Sequence, residues 1–277
     1  MDLIIPELFT IETLQKENVY PTGETPIKLR ANDRAYYVTK PMRGPSDIGV
    51  VRELLAASFL KIWGLPVPDF AIINVKPEHI PQSPFLHSRL QVEHLKRPAF
   101  GSRYNEQADH ASRLMQFASD YQVNLSNISG ELLSIALFDM WLQNDDRNEN
   151  NLNLLYSHPP NPRFIPIDHG SLFGWGEPGQ SLAIQTEHDS LVYSSLFQTF
   201  VKAKSRKRYS RSAGSFADFK KSVELCKATL PKILNSSPQE WLAPLPQLQH
   251  RLEATIFTDE WLNIVWRTFT QYLHSSS

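Results

Sequence analysis

One cysteine, Cys226, stands in a chain of 277 residues. That excludes an intramolecular disulfide and a cysteine-built zinc cluster, and it suits a reducing compartment. No stretch approaches the about eighteen consecutive apolar residues that a membrane span needs. The start, Met1-Asp2-Leu3-Ile4-Ile5-Pro6, has no basic segment leading into a long apolar core, so no signal peptide is expected. These absences together set the expectation of a soluble, cytoplasmic chain without membrane contact. Excess charge is missing as well. A net charge of -1 gives no global pull toward nucleic acid or an anionic membrane, so any such contact must be local. There is also no internal repeat, no low-complexity tract and no His-Glu-x-x-His zinc signature.

The length allows one bilobal domain or two smaller ones, and 41% hydrophobic with 21% charged residues is ordinary for a globular protein. Up to about residue 45 the pattern is β-rich. Pro26–Arg30 alternates, a turn follows at Asn32-Asp33, and Ala35–Lys40 resumes, which predicts a hairpin. Ser46-Asp47-Ile48-Gly49 then reads as a helix start, with Val51, Leu54, Leu55, Ser58, Phe59 and Ile62 at helical spacing and Gly64 as the stop. Phe70–Val75 is the next strand. Residues 76–105 hold Pro77, Pro81, Pro84 and Pro98 and an expected turn at Phe100-Gly101-Ser102, and they mark the boundary with a helical second half. Helices are expected over Asp109–Tyr121, Glu131–Leu142 with Ser129 as cap, Phe216–Leu230, Leu248–Phe257 and Asp259–Leu273 with Thr258 as cap. The second of these is apolar almost all round and reads as central and buried. The last would bury Trp261, Ile264, Val265, Phe269 and Leu273. Two short strands, Asn151–Tyr156 and Arg163–Ile167, flank a turn over Ser157–Pro162.

The densest chemistry follows the apolar helix: Asn144-Asp145-Asp146-Arg147-Asn148-Glu149-Asn150-Asn151, and later Ile167-Asp168-His169-Gly170. Side-chain oxygens converging from two such segments suit a hard cation such as Mg²⁺ beside phosphates. Asp146 and Asn151 stand five positions apart, the interval between the catalytic aspartate and the metal-binding asparagine of the protein-kinase loop. That interval lets a short loop face one oxygen toward an acceptor hydroxyl and another toward the cation. Asp145 lacks it. Asp168, at a strand end, would chelate the same metal, and Asp-His-Gly keeps the carboxylate and glycine of Asp-Phe-Gly. Taken alone, Lys40 reads as a solvated strand-end lysine and Glu53 as a surface carboxylate favoured by the helix dipole. In this order, before the loop, they reproduce the ion pair that positions phosphates. A calcium loop fails, because Asn151 replaces the glycine at position six and Ser157 the glutamate at position twelve.

The run Leu137-Phe138-Asp139-Met140-Trp141-Leu142-Gln143-Asn144-Asp145-Asp146-Arg147, then Asn151-Leu152-Asn153-Leu154-Leu155 and Ile167-Asp168-His169-Gly170, resembles the HipA-like kinase domain. More narrowly it is similar to the stand-alone branch of that family, which also follows its first-lobe helix with a turn like Gly64-Leu65-Pro66-Val67-Pro68. The resemblance covers roughly residues 20–175 and is most specific over 137–170. It implies an α+β, protein-kinase-like bilobal fold, with a β-rich N-lobe over 1–104 and a mainly α-helical C-lobe over 105–277. It also implies ATP and Mg²⁺ as cofactors. Asp146 would be the catalytic base, Asn151 and Asp168 the Mg²⁺ ligands, and Lys40, oriented by Glu53, the contact to the α/β-phosphates. Gly23 to Thr25 would form the loop over the phosphates, although it lacks a repeated-glycine pattern, and Phe100-Gly101 would lie near the adenine hinge. The expected acceptor is a protein serine or threonine. Lipid and small-molecule kinases use related machinery, and a pseudokinase that binds nucleotide without turnover is the alternative from another class. The chain is too short for the extra N-terminal subdomain of the toxin members, so neither a toxin role nor a DNA-binding antitoxin partner is assumed.

Between Lys202 and Arg211 lie six basic residues, Lys202, Lys204, Arg206, Lys207, Arg208 and Arg211. The plain expectation is a solvated or mobile loop; the functional one is salt-sensitive docking of an acidic partner or of nucleic acid, the latter not indicated elsewhere in the chain.

Overall fold

The computed structural model describes residues 3–22, 24–81, 90–116, 125–158, 162–174 and 176–275. The elements run β1 (Glu7–Phe9), β2 (Ile27–Arg30), β3 (Tyr36–Pro41), α1 (Gly49–Ile62), β4 (Phe70–Asn74), α2 (Val92–Leu95) and β5 (Ala99–Arg103). They continue with β6 (Ala108–His110), α3 (Ala111–Gln116), α4 (Leu125–Leu142), β7 (Leu154–Ser157), β8 (Arg163–Pro166), α5 (Ser195–Phe200) and α6 (Ala203–Arg211). Last come α7 (Ala213–Asn235), α8 (Gln239–Leu242), α9 (Leu248–Glu253) and α10 (Asp259–Ser275). Two compact units result. The first comprises Met1–Ser58, Pro68–Glu106 and Pro231–Pro246, and the second Phe59–Val67, Gln107–Leu230 and Gln247–Ser277. Among the described residues no helix is long and apolar enough to cross a membrane.

The first unit is built on a five-stranded sheet in the order β1-β4-β5-β3-β2, antiparallel except for the β1–β4 pair. The β2–β3 hairpin forms as its alternation predicts, with Ile27 opposite Thr39 and Arg30 opposite Tyr36. Ile27, Leu29, Tyr37, Ala71 and Ile73 pack with Leu14, Leu90 and Leu95 into one buried cluster. The expected turn at Phe100-Gly101-Ser102 is instead the middle of β5, hydrogen-bonded on both sides to β3 and β4. Glycine is needed there for approach and not for turning: a Cβ on Gly101 would meet Ile73 Cγ1 at 2.5 Å. α1 starts where expected, the Gly49 amide donating to Asp47 Oδ1 at 2.9 Å.

In the second unit α1 ends in a Schellman motif. Gly64 takes φ +70°, the Leu65 amide donates to Leu60 O at 3.0 Å, and the Gly64 amide donates to Lys61 O at 3.2 Å. α4 is the axis of this unit, with every residue from Ile135 to Leu142 buried. Trp141 stacks on Trp63 with ring centroids 5.5 Å apart and also meets Phe59, Phe138 and Phe257. Its indole donates to Ile256 O at 2.8 Å, and that of Trp261 donates to Trp141 O at 2.9 Å. Beside this core, Cys226 on α7 is fully buried. α10 buries Trp261, Leu262, Val265, Phe269, Tyr272 and Leu273, with Ile264 only half-buried. Thr258 caps it as expected, its hydroxyl accepting from the Trp261 amide at 3.2 Å.

Four expectations change here. α4 begins at Leu125, so Ser129 is an interior residue whose hydroxyl donates to Phe200 O at 2.6 Å, and not a cap. The helix expected from Asp109 is preceded by β6, because Asp109 and His110 pair with Tyr156 and Leu155 of β7 in a sheet ordered β6-β7-β8; its end, from 117 on, lies outside the described residues. The helix expected to Phe257 stops at Glu253. The basic segment is helix α6 and not a loop. Tyr209 holds one of its faces against Trp266 and Phe269, and Arg206 donates to Gln198 on α5 at 2.8 Å. Of the turn before β8, residues 159–161 lie outside the described residues.

Candidate active site

In the first unit the strand β3 carries Lys40 next to its last residue, on the face opposite the buried Tyr37 and Thr39. The ammonium of Lys40 is 2.5 Å from Glu53 Oε1 and 2.5 Å from Glu24 Oε2. Glu53 lies in the second turn of α1, its side chain only 4% exposed, and thus belongs to a buried pair and not to a solvated helix surface. A carboxylate so placed needs its cation, because burial without a partner is costly. Thr25 is fully buried with φ 45°, and its hydroxyl accepts from Arg43 Nη2 at 3.2 Å. Gly23 lies outside the described residues. Glu24, Lys40, Arg43, Asp47 and Gly49 line a small cavity of about 20 Å³.

In the second unit the loop after α4 begins abruptly. Gln143 takes φ 51° and the Asn144 amide donates back to Asp139 O at 2.8 Å, which stops the helix and turns the polar run outward. Asp146 Oδ2 accepts from the side-chain amides of Asn151 at 3.0 Å and Asn153 at 3.2 Å. Asp146 and Asn151 are therefore brought together as the interval predicts. The loop is braced internally, the Asn148 side chain donating to Asp145 O at 3.0 Å and its backbone amide to Asn151 O at 3.1 Å. Asp168 follows β8 with φ 57° and is half-buried, a strained position for a non-glycine residue.

A buried polar network underlies the loop, and the sequence reading missed it. Arg147 is fully buried. Its guanidinium pairs with Asp139 on α4 and donates to Ile167 O at 2.9 Å and Asn153 O at 3.4 Å. It thereby ties the helix to the residues preceding Asp168 and following Asn151. Asp139 also accepts from Asn144 at 2.8 Å, Asn144 accepts from Ser171 at 2.8 Å, and Gln185 donates to Asn144 O at 2.6 Å. Burial pushes the Asp139 carboxyl up to about 6, against the downward pull of Arg147 and Asn144. The available signal was one aspartate inside the otherwise apolar stretch Ile135–Leu142, since a charge buried there must have a partner. At the loop's far side Glu149 accepts from both the amide and the hydroxyl of Ser195, at 2.5 and 2.7 Å, fastening α5 to the loop.

A family model described as HipA-like kinase matches residues 20–271. No curated protein is similar enough in sequence to match. Among solved structures, the Helicobacter pylori proinflammatory kinase CtkA has a TM-score of 0.52 at 11% identity, covering 97% of this chain and 99% of that one. The Golgi casein kinase has a TM-score of 0.49 at 12% identity, covering 98% and 74%. HipA of Shewanella oneidensis MR-1, solved with HipB and operator DNA, has 0.44 at 10% identity, covering 90% and 67%. At such identities the likeness concerns fold alone, and of these three the match to CtkA carries it: an α+β, kinase-like fold.

Proposed function

The chain belongs to the HipA-like kinase family, and we propose that it is an ATP- and Mg²⁺-dependent phosphotransferase acting on a protein serine or threonine hydroxyl. The observation that carries the reading is the Asp146 loop, in which a carboxylate is held by the amide of the asparagine five positions on. The donor set fits the metal. Asn151 spends its NH₂ group on Asp146, which leaves its carbonyl oxygen for a cation, and Asp168 adds a carboxylate. When bound, Mg²⁺ neutralises charge on the phosphates. Asp146 orients the acceptor hydroxyl and takes its proton. Lys40, oriented by Glu53, contacts the α/β-phosphates, with Gly23 to Thr25 over them. A nucleotide-binding protein without turnover is the second reading. The carboxylate of Glu24 on Lys40 and the glycine-poor turn before β2 favour it.

Purified wild type and Asp146→Ala are compared for transfer of labelled γ-phosphate from ATP. Loss of at least about a hundredfold is expected of the variant, and equal transfer removes Asp146 from the mechanism. In parallel, Mg²⁺-dependent stabilisation by ATP is read from thermal melts. It should vanish in Asp168→Ala; an unchanged shift counts against the metal assignment. Stabilisation of the wild type without transfer to any acceptor selects the second reading.

A further inference from the structure

The helix α6 presents a line of unpaired cations. Lys204, Lys207, Arg208 and Arg211 are exposed and spaced i, i+3, i+4, i+7, which puts them on one face, with exposed Lys202 just ahead of the first turn. At 1.5 Å per residue the four cover about 10 Å. Among the described residues none of these five forms an ion pair with a carboxylate. The helix stands against its own charge. Lys204–Lys207, Lys204–Arg208, Lys207–Arg211 and Arg208–Arg211 are all like-charge neighbours, each of which destabilises an isolated helix. A cation in the first turn opposes the helix dipole besides. An anionic partner would relieve both.

The placement of this face gives it a role. Glu149, three residues past Asp146, is fastened to Ser195 of α5. From α5, Gln198 accepts from Arg206, the one buried cation of α6. The basic helix is thus tied through two polar contacts to the Asp146 loop, all within the second unit. We propose that the exposed face of α6 docks an acidic segment of the protein substrate, with aspartate or glutamate side chains spread over three or four residues. That length follows from the rise of an extended chain, about 3.3 Å per residue. The face offers nucleic acid no ring to stack on, because its one aromatic, Tyr209, is turned in against Trp266 and Phe269. It offers a bilayer nothing to insert, since among the described residues the exposed large apolar ones, Ile4, Phe9, Ile11, Tyr104 and Leu225, lie elsewhere.

The proposal rests on the phosphotransferase reading for its substrate, and binding tests it separately. Fluorescent peptides of twelve residues, one rich in Asp and Glu around a serine and one with Asn and Gln in their place, are titrated by anisotropy against the full chain and against Lys207→Glu/Arg208→Glu. The acidic peptide should bind the wild type, lose affinity steeply with salt, and bind the variant at least about tenfold more weakly. The amide peptide should bind neither. Since charge reversal relieves repulsion on an exposed face, the variant's Tm should not fall; Lys204→Gln/Arg211→Gln gives a second, milder series. Equal binding by wild type and both variants overturns the proposal, as does tighter binding of a single-stranded RNA or of phosphatidylserine vesicles than of the acidic peptide. In transfer assays the KM for the acidic peptide should rise in the variant. If the wild type transfers to no peptide, the catalytic reading fails, and docking of an acidic segment still stands or falls by the anisotropy.

Discussion

Two adjacent carboxylates, Asp145 and Asp146, meet different surroundings. Asp146 accepts from two asparagine amides. Asp145 is half-buried, takes a long hydrogen bond of 3.4 Å from Gln143, and faces the charge of Asp189. Burial first, then Asp189, pushes its carboxyl up to about 6, with the Gln143 and Gln185 hydrogen bonds opposing. The sign follows from linkage. An acid with a raised folded-state pKa favours folding in its protonated form, so its contribution is present below about pH 4 and is lost as pH rises to about 6. Asp145→Asn removes that loss. After discount for its partial exposure, the variant should gain about 1–2 kcal/mol at pH 7 and nothing below pH 4, measured by urea unfolding at both values. No gain at pH 7 would refute the burial account. The five-position interval alone separated these two residues in the sequence. It could not reveal Asn153, whose backbone takes φ 45°, as the second donor to Asp146.

At the level of elements, the apolar run of α4 was legible because burial on all sides leaves no polar face to misread. The hairpin β2–β3 was legible from alternation. β5 and β6 were not. Each is short, and each is fixed by partners distant in sequence, such as Gly101 between Thr39 and Ala71 or Asp109 opposite Tyr156. α6 was hidden by charge, which masks the inward Tyr209. A further hidden link is the Asp139–Arg147 pair, which joins α4 to the residues just before β7 and just after β8. Arg147→Met leaves a buried carboxylate without its cation and should cost about 3–5 kcal/mol. The double variant Asp139→Leu/Arg147→Met should recover most of that in denaturant melts. If the two single effects simply add, the pair does not brace the loop.

For the molecule as a whole, the family was legible because its motifs lie within contiguous runs, the Asp146 loop and Asp-His-Gly, each short enough to read without knowing the fold. The network behind them was not, because Ser171, Gln185 and Asn144 meet only after the chain has turned back on itself. The lone thiol has a further use. Cys226 is sealed in the second unit beside Trp63, and burial raises its thiol well above the ordinary range. In a chain with no other sulfhydryl it is a built-in clock for opening. Reaction with a disulfide reagent can proceed only when α7 swings clear or that unit melts, so labelling should run at least about a thousandfold slower than for an unfolded thiol. ATP with Mg²⁺ should slow it further. Rapid labelling of the native protein would mean that this core opens on the timescale of ordinary handling, and every tick of the clock is recorded at one known atom, Sγ of Cys226.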